Sequence, residues 1–258
     1  MRVLVLGTSH AATIKRAFPA IAAEYPNVTL GFWGLPGAAF AKAKAGPDGL
    51  LRPDPDDAIG LRKATDWNGA EFVDLAAWDR IFLVGLRYGM RPAHQIMRAL
   101  QPYEWGPRAG TTRVSLGLLR AAIRAEVEAS VRAQDARTPF DGRVTALPAP
   151  YPATVVLAPG AMHQPATKAV ASLTHAADLM EMFEAEVRAA HAARGIGLVL
   201  QPRDTVAQPW LSVPDHLEEP DRDGRHMNAR YGLIAFRALM AGAAPINAAT
   251  SAAHPQSA

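Results

Sequence analysis

With 258 residues, 49% of them hydrophobic, the chain is long enough to bury a full core as one large domain or two small ones. Lys and Arg number 27 against 24 Asp and Glu, and a formal charge of +3 is too small to make nucleic acid the main partner. There is no cysteine, which excludes disulfides, thiolate chemistry and cysteine-built zinc sites.

The chain opens MRVLVLGTSHAATIKRAF. Val3 to Leu6 form a strand-length aliphatic run without the charged region, apolar core and cleavage site of a signal peptide, and no later stretch reaches the roughly 18 apolar residues of a membrane span. The expectation is a cytoplasmic protein with no membrane partner. Similar short runs follow at Val28 to Trp33, Arg80 to Gly85, Ala153 to Ala158 and Ile196 to Leu200, with helical periodicity between them. Strands alternating with helices predict an α/β fold, a five-stranded parallel sheet covered on both faces in the flavodoxin-like manner.

The first helix is expected over residues 10–24, with Ile14, Ala17, Phe18 and Ile21 inward at i, i+3, i+4 and i+7. The last is expected over 227–241, with Tyr231, Ile234 and Leu239 inward and Gly242 as its stop. Residues 86–150 are too many for a simple crossover and predict a helical insertion between strands 3 and 4, with one helix over 113–136 burying Leu116, Leu119, Ile123 and Val127. The domain is expected to span 1–242. The small, polar, proline-broken residues 243–258 predict a disordered tail.

In an open parallel sheet, ligands bind beyond the carboxyl ends of the strands. The turns there read GTS at 7–9, LPG at 35–37, GLRY at 85–88 and, near the end, DGRH at 223–226. A serine hydroxyl needs a base, and histidine is the side chain suited to that task near neutrality. Asp223 stands three residues before His226, close enough for a turn to bring its carboxylate to Nδ1 and leave Nε2 for a serine. Ser9, at the amino end of a helix, meets free N–H groups and a dipole that favour an oxyanion, and Gly37 offers a second backbone donor. Simpler readings stand beside these. Ser9 and Asp223 can each cap a helix, Gly37 suits a type II turn, and Arg87 suits a solvated or ion-paired side chain.

These four turns, in this order, resemble the blocks of the SGNH hydrolases, the GDSL esterase and lipase superfamily, over residues 3 to about 241. The resemblance implies Ser9 as nucleophile, His226 as base, Asp223 as its orienting partner and Gly37 as an oxyanion donor. It also implies departures. Thr8 replaces the usual Asp beside the nucleophile, His10 replaces the usual Leu and becomes a second base or a substrate contact, and Arg87 replaces the third-block Asn that would serve the oxyanion.

His94, His163, His175 and His191 show no paired ligand spacing, so no metal is assigned, and no cofactor is implied. His163 follows the fourth expected strand and is read as a loop residue at the same sheet edge. Residues 86–150 carry ten Arg against five acids, net +5, and Arg113, Arg120 and Arg124 fall near one helical stripe. A solvated face is the default for such a run, and an anionic substrate is the second reading. The function expected is a serine-dependent esterase or deacylase acting on a small acyl ester of a small molecule or carbohydrate. The alternatives are an acyltransferase with a sugar acceptor and a non-catalytic glycan-binding protein. A phosphate-cradling α/β protein is weakened by the missing glycine-rich patterns.

Overall fold

The computed structural model describes residues 1–137, 142–158, 165–219 and 224–243. Five parallel strands form the central sheet: β1 (Arg2–Gly7), β2 (Thr29–Gly34), β3 (Arg80–Leu86), β4 (Val144–Pro148) and β5 (Gly197–Leu198). Their spatial order is β5-β4-β3-β1-β2, so β1 lies between β2 and β3 and the strand order reverses beside it. This is a three-layer α/β architecture with the flavodoxin-like order.

Alternation along the strands divides the core in two. Leu4, Leu6, Ile81 and Leu83 face one side, with Leu119, Ile123 and Val127 of a long helix and Leu179, Phe183 and Val187 of another. Val3, Val5, Phe82 and Val84 face the other, with Ile14, Ile21, Phe236 and Leu239. The period of two along each strand thus feeds two apolar faces, each covered by helices.

The helices are α1 (Ala11–Arg16), α2 (Phe18–Glu24), α3 (Gly37–Lys42), α4 (Ala58–Asn68), α5 (Met90–Ala99), α6 (Leu116–Arg132), α7 (Pro165–Ala171), α8 (Ala176–Ala192) and α9 (Ala229–Gly242). The single helix expected over 10–24 is two, because Pro19 at the start of α2 lacks an N–H and its ring clashes with the carbonyl four residues back. Ile14, Ala17 and Ile21 are buried, but Phe18 is 43% exposed and packs its ring edge-on against Phe32. At the end of the chain Asn228 caps α9 by accepting from Tyr231 N, and Tyr231 and Leu239 are buried while Ile234 is half-buried.

The fourth strand is not the run at Ala153 to Ala158. VTALP at 144–148 takes that place, pairing along β3 from Ile81↔Val144 onward. Pro148, Pro150 and Pro152 cannot donate to a ladder, and the next residues coil into a 3-10 turn, Thr154–Leu157, whose Ala153 N donates to Gly224 O. Between β3 and β4 lie α5, a two-stranded parallel pair (Leu100–Pro102 with Thr112–Val114) and α6. Ser115 caps α6, and Leu119, Ile123, Val127 and Val131 are its buried stripe. Arg113 lies in a strand, so it shares no helical stripe with Arg120 and Arg124. Both of those clasp Glu186 of α8, at 3.2 and 2.8 Å. Among the described residues no helix is long and apolar enough to cross a membrane.

Candidate active site

The turn after β1 is shaped by close backbone approach. A Cβ on Gly7 would sit 1.9 Å from Val84 O, so only glycine lets β1 and β3 end side by side here. Gly85 has φ +88, and a Cβ there would meet Thr8 Oγ1 at 2.4 Å and His10 Cβ at 2.7 Å. Thr8 Oγ1 donates to Gly85 O at 3.0 Å, so the threonine that stands beside Ser9 ties this turn to the end of β3.

Ser9 does not cap α1 with its side chain. Its Oγ lies 3.0 Å from Nε2 of His226, 217 residues away. With the imidazole proton on Nδ1, the serine hydroxyl donates to Nε2, which is the orientation a general base requires. Both residues are half-buried, so the pair is shielded yet reachable.

His226 is positioned through its own backbone. Its carbonyl accepts from Glu218 N at 2.9 Å, and Leu217 and Met227 form an antiparallel bridge. The carbonyl of fully buried Met227 accepts from Thr13 Oγ1 at 3.0 Å, which links the residue after His226 to the helix that follows Ser9. Asp223 and His163 lie outside the described residues. His10 is buried, with its ring centroid 5.3 Å from that of His226 at a tilt of 31°.

Ser9 and His226 open onto a groove of about 520 Å³, within the size range of small-molecule sites. Phe32, Trp33 and Trp67 give it aromatic walls, and Gly34, Asn68 and Lys15 also line it. Lys15 Nζ donates to Trp67 O at 3.2 Å, and Arg16 pairs with Glu218 at 3.3 Å on the same rim. Gly34 N donates to Asn68 Oδ1 at 2.8 Å, while Asn68 Nδ2 donates to Gly34 O and Ala64 O. That side chain is therefore spent in fixing the end of β2. Among the described residues Ser9 N–H donates to no other group, and it stands where the amino end of α1 begins.

Gly37 and Arg87 do not line this groove. Gly37 is the first residue of α3. Arg87 borders a separate cavity of about 20 Å³ with Tyr88, Met90 and Glu184. Burial, then the charges of Arg225 and Arg91, push its guanidinium below the ordinary arginine value. Trp67 and Asn68 also line the groove, and neither belongs to a motif that the sequence alone picks out. Among the described residues no group of three or more His, Asp or Glu is arranged to hold a metal.

No family model matches the chain, and no curated protein does. Solved structures similar to it include a DUF4886 family protein from Bacteroides uniformis, 14% identical over 93% of this chain and 83% of that one, with a TM-score of 0.44. An acetyl-xylooligosaccharide esterase from Geobacillus is 12% identical over 95% of this chain and 94% of that one, with a TM-score of 0.38. The periplasmic domain of a Salmonella lipopolysaccharide acetyltransferase is 11% identical over 93% and 82%, with a TM-score of 0.41. By the residues at its strand ends and its five-stranded parallel sheet, the chain resembles the SGNH hydrolases.

Proposed function

We propose that the protein is a serine-dependent esterase or deacylase of a small acyl ester, with Ser9 as nucleophile and His226 as base. The 3.0 Å contact between Ser9 Oγ and His226 Nε2, at the wall of a 520 Å³ groove, carries this reading. His226 takes the hydroxyl proton as Oγ attacks the acyl carbonyl, and then returns it to the leaving alkoxide. Water, activated by the same imidazole, attacks the acyl-serine, releases the carboxylic acid and restores the hydroxyl. Ser9 N–H and the amino end of α1 stabilise the oxyanion, and Asp223 is the proposed orienting partner. Aromatic walls at Phe32 and Trp67 suit the apolar faces of an acyl chain or a sugar leaving group.

Treatment with a fluorophosphonate followed by intact and peptide mass spectrometry tests the reading. One adduct on Ser9, absent from Ser9→Ala, is expected. A folded protein that takes no label, or takes it elsewhere, overturns it. Product analysis with a sugar acceptor present then separates transfer from hydrolysis.

A further inference from the structure

Trp67 and Asn68 stand in the last turn of α4, which Gly69 ends in a left-handed cap at φ +69. Hydrogen bonds fix that turn against the strand beside Ser9. Asn68 Oδ1 accepts from Gly34 N at 2.8 Å, and Nδ2 donates to Gly34 O at 3.1 Å and to Ala64 O at 2.9 Å. Gly34 lies opposite Gly7, two residues before the serine, and β2 is an edge strand, so the Asn68 amide stands where a further strand would pair. A second tie comes from α1, where Lys15 Nζ donates to Trp67 O at 3.2 Å.

The backbone of Trp67 is thus held in register with the turn that carries the nucleophile, while its side chain is left open. Trp67 is 38% exposed and lines the same groove as Ser9 and His226. Lys63, one turn earlier in α4, lies over the indole at 5.9 Å from its centroid and pairs with Asp66. Lys63 does not line the groove, so the ring stands between this cation and the groove. Phe32 continues the wall, and Phe18 packs edge-on against Phe32 with centroids 6.2 Å apart.

Asn68 has given both its N–H groups to carbonyls, so this wall meets a ligand with aromatic surface and not with amide donors. A groove of about 520 Å³ has room for a ring, and an acetyl group on a short alcohol would leave most of it empty. We propose that Trp67 is the specificity-determining residue of this site and selects esters that bear a flat apolar ring, on the acyl or the alcohol side, by stacking and burial against the indole. The proposal rests on the reading of Ser9 as nucleophile for the reaction, but not for the binding of the ring.

Three esters test it: ethyl acetate without a ring, phenyl acetate with a ring on the alcohol side and ethyl benzoate with one on the acyl side. The kcat/KM of each ring ester is divided by that of ethyl acetate, so that intrinsic reactivity cancels when variants are compared with the parent chain. For at least one ring ester the ratio should fall about tenfold in Trp67→Ala and in Trp67→Leu, and stay within about twofold in Trp67→Phe. The ester that loses its advantage shows which side faces Trp67. Ratios unchanged in the Ala and Leu variants, or lost equally in Trp67→Phe, overturn the proposal. Ligand-observed NMR on Ser9→Ala makes the same comparison without turnover. A ring ester should bind more tightly than ethyl acetate, and adding Trp67→Ala should remove the difference; equal binding with and without Trp67 overturns the proposal. Hydrolysis by a parent chain that takes no fluorophosphonate label on Ser9 overturns the nucleophile reading alone, and the ratios still decide the role of Trp67.

Discussion

The hydroxyl of Thr13 donates to the carbonyl of Met227 across 3.0 Å, joining α1 to the residue that follows His226. Thr13 is 3% exposed and Met227 fully buried, so water cannot replace the bond. Thr13→Val should cost about 1–3 kcal/mol by leaving that carbonyl unsatisfied. Because the same bond anchors the residue next to His226, turnover should fall with it, and Thr13→Ser should restore both. Urea unfolding and steady-state kinetics on the two variants check this. Equal behaviour of Val and Ser variants would show that the bond positions nothing.

The two neighbouring imidazoles make distinct predictions. His226 faces the serine oxygen, whereas His10 contacts His226 through its ring. His226→Ala should lower kcat by about 10⁴-fold or more, in the range seen when a triad base is removed. His10→Ala should cost far less, because it removes a neighbour of the base and not the base. Rates on an activated aryl ester measure both, and the reverse order would assign the base to His10.

Arg120 and Arg124 both reach Glu186, which is 5% exposed as a residue, from the next helix of the same face. Removing one arginine leaves the other in place, so each single change to Gln should cost little, given how exposed the arginines are. Removing both leaves a buried carboxylate without a cation and should cost on the order of 3 kcal/mol, more than the sum of the singles. A double-mutant cycle by urea denaturation tests this. The preference between an anionic and a neutral ester should be the same in the double variant as in the parent chain, because these side chains bind α8 and not substrate.

His94 is 1% exposed, and burial, helped by the charge of Arg87, lowers its pKa to about 4. His191 and His216 are lowered as well, chiefly by burial. A histidine whose folded pKa lies below its unfolded value near 6.5 is protonated first in the unfolded chain. Stability should therefore be complete above about pH 6.5 and fall as the pH drops toward 4. The His94 share reaches on the order of 3 kcal/mol at the acid end. Urea midpoints at pH 7, 5.5 and 4.5 should drop in the parent chain and drop less in His94→Gln; parallel curves would remove His94 as a source of the loss.

The elements that a short window of sequence can specify were legible in it. β1, β2 and β3 are short apolar runs with a glycine at or next to their ends, and since side chains alternate along a strand, their positions and the turn bearing Ser9 follow from a few residues each. The buried stripe of α6 is local in the same way. Where several distant segments compete, tertiary structure decided. VTALP and TVVLAP are equally strand-like, and the edge of β3 accepted the one without a proline in the two residues before it. Pro19 divided a periodic pattern that otherwise reads as one helix. The likeness of the Ser9 and His226 turns to a nucleophile and a base could be read from residue types, but their 3.0 Å approach joins segments some 200 residues apart, tied by the bond from Thr13 to Met227. Trp67 and Asn68 line the groove because α4 ends beside β2, and Arg120 and Arg124 are occupied because α6 packs on α8. Periodicity tells which face of an element is buried; which partner it is buried against is a property of the whole chain, since contact energies between remote segments are gained only once the sheet has brought them together.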